Sequence, residues 1–186
     1  MRRFAILASA LIGALVVSGC ALTAPTYSSS LSNVQQLQQA GDFSAKVGPF
    51  TADSQVDDEG ISLRASTLKS PSNGSYAAYL ADALKQELSV AHKLAPDAQI
   101  EVSGVLLKND ISIGSFSTGH GDIEARFIVK RGGTVRYDGT KSNHSEWDSS
   151  FLGAVAIPKG QQAYPTLVQG LLSNLYSDPA FVAALK

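Results

Sequence analysis

Residues 121–137 read Gly-Asp-Ile-Glu-Ala-Arg-Phe-Ile-Val-Lys-Arg-Gly-Gly-Thr-Val-Arg-Tyr, and this stretch decides the fold. Ile123, Ala125, Phe127 and Val129 alternate with Asp122, Glu124, Arg126 and Lys130. A period of two places the first set on one face of a strand and the second on the other. Gly132-Gly133 follows as a two-residue hairpin turn, because both glycines tolerate the positive φ such a turn demands. Thr134 to Tyr137 begins the return strand, and the chain stays extended to about Ser150.

Upstream, residues 99–113 form a third strand. Ile100 and Val102 oppose Glu101 and Ser103, and Val105-Leu106-Leu107 is apolar on both faces, which makes this strand central. Gly104 is expected to mark a bulge. Residues 113–121, with Gly114, Ser115, Ser117, Thr118, Gly119 and Gly121, read as a flexible connection. The three strands form an antiparallel meander.

Two helices cover it. In residues 76–93, Leu80, Ala83, Leu84, Leu88 and Ala91 recur at three and four, giving one apolar stripe. Asn73 or Ser75 caps the start, Pro96 ends the segment, and His92 suits the negative end of the dipole. In residues 164–176 the stripe is Leu167, Val168, Leu171, Leu172 and Leu175, and Asp178-Pro179 starts a last turn packed by Phe181, Val182 and Leu185. Earlier, residues 43–50 alternate as a strand that Pro49 ends or confines to an edge, and residues 61–68 form another short one. The fold class is α+β: a small, mostly antiparallel sheet of four or five strands with two main helices packed on one face.

The front of the chain sets the compartment. Arg2 and Arg3 precede an apolar run, residues 4–17, too short to span a bilayer core of roughly 30 Å and matched to a secretory signal. The run ends Val17-Ser18-Gly19-Cys20, which resembles the lipobox of bacterial lipoproteins. The resemblance implies cleavage before Cys20 and a diacylglyceryl group on its sulfur, with acylation of the new amine. Ala21 in the next position, rather than Asp, implies the outer membrane. Residues 1–19 are then the signal peptide, 20–40 the lipidated N-terminus and tether, and 41–186 the periplasmic domain. Residues 21–32, rich in Ser, Thr and Ala, read as a flexible tether reaching up to roughly 40 Å. Residues 33–40 read as a short helix with a thin apolar face around Val34 and Leu37.

Composition narrows the function. Cys20 is the only cysteine, so stability rests on core packing and not on an internal disulfide. The 15 basic residues, against 16 acidic ones, form no basic cluster, which argues against nucleic acid. His92, His120 and His144 lack metal-ligand spacing, and neither a metal nor a cofactor is expected. The acidic run Asp57-Asp58-Glu59 lacks the ligand spacing of a calcium loop and reads as solvated. His144, Glu146 and Asp148 share a strand face, and an envelope hydrolase using His144 with Ser149 or Ser150 is one alternative, although no Gly-x-Ser-x-Gly elbow is present. A small-ligand or glycan binder using the loop around His120 is another.

The most unusual text is Trp147-Asp148-Ser149-Ser150-Phe151-Leu152-Gly153-Ala154-Val155-Ala156-Ile157-Pro158. It reads either as a buried crossover between strand and helix or as an exposed apolar loop that meets a partner, since exposed apolar patches mark contact sites. The partner-binding candidates are Trp147, Phe151, Leu152, Val155 and Ile157. This stretch, residues 76–84 and the order of elements are similar to small proteobacterial outer-membrane lipoproteins of the YajG-like and transport-auxiliary kind. That resemblance implies a lipid-anchored, non-enzymatic binding, assembly or transport-accessory factor on the periplasmic face of the outer membrane. Its partner is expected to be an envelope protein or lipid.

Overall fold

The structure, a computed structural model, describes residues 21–186. In chain order the elements are β1 (Ala21–Thr23), α1 (Leu31–Gln39), β2 (Ala45–Ala52), β3 (Gly60–Leu63), β4 (Ser66–Lys69), α2 (Tyr76–Val90), β5 (Ile100–Ser112), β6 (Thr118–Arg131), β7 (Thr134–Asp148), α3 (Gly153–Tyr176) and α4 (Pro179–Ala184). The class is α+β as expected. The strands divide between a four-stranded sheet, β2-β5-β6-β7, and a smaller one, β1-β4-β3.

The meander is in place, with β5, β6 and β7 paired antiparallel and Gly132 and Gly133 at φ +56° and +83° between the last two. The fourth strand departs from antiparallel. β2 pairs with β5 in parallel, because α2 lies between them in the chain and returns it to the same end of the sheet. Pro49 is tolerated since β2 is an edge, where the register also shifts between Val47 and Phe50. Gly104 does not mark the bulge, which falls between Leu106 and Lys108. It makes room instead: a Cβ there would stand 2.6 Å from the Phe50 ring.

Helices α2 and α3 lie on the side of the sheet that carries Val102, Leu106, Ile123, Ala125, Phe127 and Val129, which are buried. Leu80, Ala83, Leu84 and Leu88 of α2 and Leu167, Val168, Leu171, Leu172 and Leu175 of α3 fill the space against them. Ser75 caps α2 by accepting from the Ala78 amide at 3.0 Å. The same helix ends with His92 at φ +59°, where the Lys93 amide turns back to the Leu88 carbonyl.

Helix α3 starts eleven residues before the expected Tyr164. Pro158 and Pro165 disguise this, since each removes an amide donor. Their cost is offset by a buried stripe at a spacing of four, Ala156, Gly160 and Tyr164. Gly160 lies so close to the sheet that a Cβ would sit 3.0 Å from Ile113. Tyr164 meets the rings of Tyr76 and Tyr79 at 4.9 and 5.1 Å, pairs worth about 0.5–1.5 kcal/mol each beyond area burial.

The segment read as a tether departs from that reading. Ala24 and Tyr27 are buried, as are Asn33, Val34 and Leu37 in and around α1. Successive hydrogen bonds fasten it along α3: Gln161 Nε2 donates to Thr23 O at 2.6 Å, Gln169 Nε2 to Ser28 O at 2.8 Å, and Gln36 Nε2 to Ser177 Oγ at 3.3 Å. It is a strap, and composition hid this because its fastening comes mostly from polar groups elsewhere in the chain.

Candidate functional site

One end of the domain carries a group of exposed apolar side chains. The β5–β6 connection, the chain before α3 and the β3–β4 turn meet there. Arg64, at φ +57° in that turn, holds them together. Its Nη2 donates to Ile113 O at 2.8 Å, and its Nη1 to Phe151 O at 2.7 Å. A guanidinium has five donors in a rigid plane, so one side chain can fix two loops.

On this base Phe116 and Phe151 stack at 5.2 Å with 16° between ring planes. They are 79% and 62% exposed, and Leu152 beside them is 64% exposed. Val155, in the first turn of α3, is also exposed. The expected crossover is therefore neither a crossover nor a free loop. It is the open first turn of a helix, which must bury Ala156 below and leaves its apolar leading residues outside.

The five partner-binding candidates separate. Phe151, Leu152 and Val155 stand on the surface, whereas Trp147 and Ile157 are partly buried against the core. The Trp147 ring covers Gly119, where a Cβ would lie 2.5 Å from its Nε1. Phe116 was not among the candidates. Its signal was present as the one large apolar residue in a Gly, Ser and Thr stretch, but a flexible connection was the simpler reading.

The open face of the sheet holds His120 and His144. His144 Nδ1 lies 3.0 Å from Asp122 Oδ1 and its Nε2 lies 3.5 Å from Glu146 Oε1. The hydrogen bond to Asp122, then that to Glu146, raises the His144 pKa. Asp122 is lowered in turn, first by His144 and also by Lys108 at 3.6 Å. This imidazole is stabilised as a cation between two carboxylates. The His120 ring lies 5.8 Å from it. Ser149 and Ser150 follow the end of β7, five and six residues from His144, so roughly 16–20 Å along an extended chain. Ser150 Oγ accepts from the Leu152 amide at 3.1 Å. The fold does not bring these serines to the histidine.

Asp57 and Asp58 have local duties. Asp57 Oδ1 accepts from the Glu59 and Gly60 amides, and Asp58 Oδ1 from the Ala77 amide at the start of α2. Among the described residues no group of three His, Cys, Asp or Glu side chains is placed to hold a metal ion. Cys20 lies outside the described residues.

A buried acid was missed altogether. Glu87 of α2 is fully buried, and its Oε1 accepts from Tyr27 Oη, from the Ser30 amide at 3.2 Å and from Asn33 Nδ2 at 3.1 Å. Burial raises its pKa more than these donors lower it. A glutamate inside a helical apolar stripe is the available signal, but nothing local reveals what it meets.

No family model matches the chain, and no curated protein matches it. Its fold is similar to that of a Xanthomonas campestris protein of the family model DUF330, with a TM-score of 0.61 and 11% identity over 88% of this chain and 96% of that one. Looser likenesses are a putative lipoprotein from Caulobacter crescentus (TM-score 0.47, 11% identity, 82% of this chain and 96% of that one) and a hypothetical protein from Chlamydia trachomatis (TM-score 0.47, 10% identity, 77% and 99%). The first likeness shows a shared fold.

Proposed function

We propose that this chain is a lipoprotein, carrying its lipid on Cys20 and held at the periplasmic face of the outer membrane. There it acts as a non-enzymatic binding or transport-accessory factor of the envelope. The observation that carries this reading is the pairing of Val17-Ser18-Gly19-Cys20 with a domain folded from Ala21 onward. The surface of that domain offers an apolar contact patch, while its histidine and serines stand apart. Phe116, Phe151, Leu152 and Val155 are the contact, and Trp147 and Ile157 support it from beneath. Ala21 after the cysteine supports the outer membrane over the inner.

Metabolic labelling with palmitate tests the anchor. The wild type is expected to incorporate label and to fractionate with outer membranes, and Cys20→Ser to do neither. Labelling that persists undiminished in Cys20→Ser refutes the attachment site.

A further inference from the structure

The apolar patch and the point where the chain leaves the domain lie at the same end of the molecule. Two independent registers establish this. First, β1 is parallel to β4, with Ala21 opposite Thr67 and Thr23 opposite Lys69. The N-terminal end of β1 therefore points toward the β3–β4 turn, where Arg64 holds the carbonyls of Ile113 and Phe151. Thr67 is three residues from Arg64, about 10 Å along a strand. Second, the strap descends α3 in order, Thr23 beside Gln161, Ser28 beside Gln169 and Gln36 beside Ser177. Its beginning therefore lies toward the start of α3, which is where Phe151, Leu152 and Val155 stand.

Cys20 directly precedes Ala21 in the sequence, so the chain enters the folded domain at this end. With β1 paired in a sheet and the strap fastened behind it, the ordered domain begins at the residue that follows the proposed anchor. A lipid on Cys20 sits in the headgroup region of one leaflet. That places the stacked rings of Phe116 and Phe151 at the same surface, with Arg64 held at the Phe151 carbonyl and Lys159 at the Asp148 carbonyl.

We propose that Phe116, Phe151, Leu152 and Val155 form a second, non-covalent membrane contact, lying against the leaflet that holds the lipid of Cys20. This rests on the lipid attachment proposed above. Apolar and aromatic side chains on a short helical turn, with basic residues behind them, fit the boundary between headgroups and acyl chains. The contact fixes the orientation of the domain: the Gly132-Gly133 end of the sheet points away, since β7 spans 15 residues, or roughly 46 Å between its first and last residue. The bilayer is favoured over a protein partner because a strap fastened from Ala21 onward keeps the patch end close to the leaflet that holds the lipid.

The test uses the acylated full-length product in vesicles of phosphatidylethanolamine and phosphatidylglycerol. Its native thiol is blocked by lipid, so Leu152→Cys, Phe116→Cys or Thr134→Cys each supplies a single site for an environment-sensitive fluorophore. Labels at 152 and 116 are expected to shift to the blue and to be quenched by doxyl lipids, and the label at 134 to do neither. Equal exposure to water at all three positions overturns the proposal, as does capture of a protein in place of lipid by a photo-crosslinker at 152 in cells. Flotation of the Cys20→Ser chain with the same vesicles separates the two readings. Patch-dependent partitioning, reduced about tenfold per ring by Phe116→Ser and Phe151→Ser, supports the contact independently of acylation. Absence of acyl mass on wild-type Cys20 sinks the anchor reading alone, while acylation with unquenched labels sinks this one alone.

Discussion

Replacing Glu87 by Gln separates the charge of the buried acid from its hydrogen bonds. In the wild type one carboxyl oxygen takes three donors from the strap: Tyr27 Oη, the Ser30 amide and Asn33 Nδ2. The other oxygen has no hydrogen-bond partner, although the Tyr176 hydroxyl stands beside it. A glutamine keeps an acceptor for the three donors and offers its amide to Tyr176, so near pH 4 the variant is expected within about 1 kcal/mol of wild type. Burial raises the folded pKa of Glu87 above its ordinary 4.5. A raised folded pKa means that the stability contributed by the protonated acid is full below the unfolded pKa and is lost as pH rises through the folded one. The variant has no such loss. Its advantage over wild type should open from about pH 4.5 upward, at no more than about 1.4 kcal/mol per pH unit, and then level off. Glu87→Ala instead strands the donors, of which Asn33 alone keeps another acceptor, Gln169 O at 2.9 Å. With the lost packing, that costs about 3–5 kcal/mol. Urea unfolding followed by circular dichroism at intervals from pH 4 to 8 measures all three proteins. A stability difference between wild type and Glu87→Gln that stays flat across that range refutes the pKa argument. A loss below about 1 kcal/mol in Glu87→Ala refutes the network itself.

Two further substitutions probe the sheet. Asp178 caps α4 through the Ala180 amide and accepts from Lys141 Nζ at 2.6 Å and Tyr137 Oη at 2.9 Å, and its pKa falls to about 2, chiefly through Lys141. Its contribution is therefore full above the unfolded carboxylate pKa and lost as pH falls through about 2. Asp178→Asn should cost about 1–2 kcal/mol at pH 7 and little at pH 2, and equal losses at both pH values in urea titrations would contradict this. Gly119→Ala drives a methyl group into the Trp147 indole, 2.5 Å from its Nε1. It should cost about 1–3 kcal/mol and shift the emission of the protein's one tryptophan, whereas an unchanged spectrum and midpoint would show that the ring does not cover this glycine.

The meander and both main helices were legible because each has a local cause that repeats. Ile123, Ala125, Phe127 and Val129 alternate against charged neighbours, and Leu80, Ala83, Leu84 and Leu88 recur at helical spacing. What was not legible depends on partners distant in sequence. The parallel pairing of β2 with β5 follows from the path of a whole helix, not from the residues of β2. The early start of α3 was masked because two prolines speak against a helix locally, while Ala156, Gly160 and Tyr164 vote for it only once the sheet and the Tyr76–Tyr79 pair are in place. At the patch, Phe151, Leu152 and Val155 could be named from their apolar text, but text alone could not separate them from Trp147 and Ile157, nor bring Phe116 across from another loop.

The strap carries the most weight for the proposed anchoring, and its composition explains its construction. Residues 21–32 hold few large apolar side chains, so burial alone cannot outweigh the entropy of ordering them, about 1–2 kcal/mol per residue for the backbone. The domain supplies directed hydrogen bonds to strap carbonyls instead: Tyr79 Oη to Pro25 O at 3.0 Å, Gln161 to Thr23 O and Gln169 to Ser28 O. Glu87 complements them as an acceptor for the strap's own donors. A buried carboxyl is costly, and it is better suited than another leucine to hold a segment whose available groups are O–H and N–H. The consequence is geometric. Under the proposed lipid attachment, a flexible tether of the same length would let the domain point in any direction, and the Phe116–Phe151 stack would face the membrane only by chance. Fastened at Glu87 and along α3, the strap delivers the chain to the patch end, so in the proposed anchoring the buried acid helps to set which end of the domain faces the bilayer.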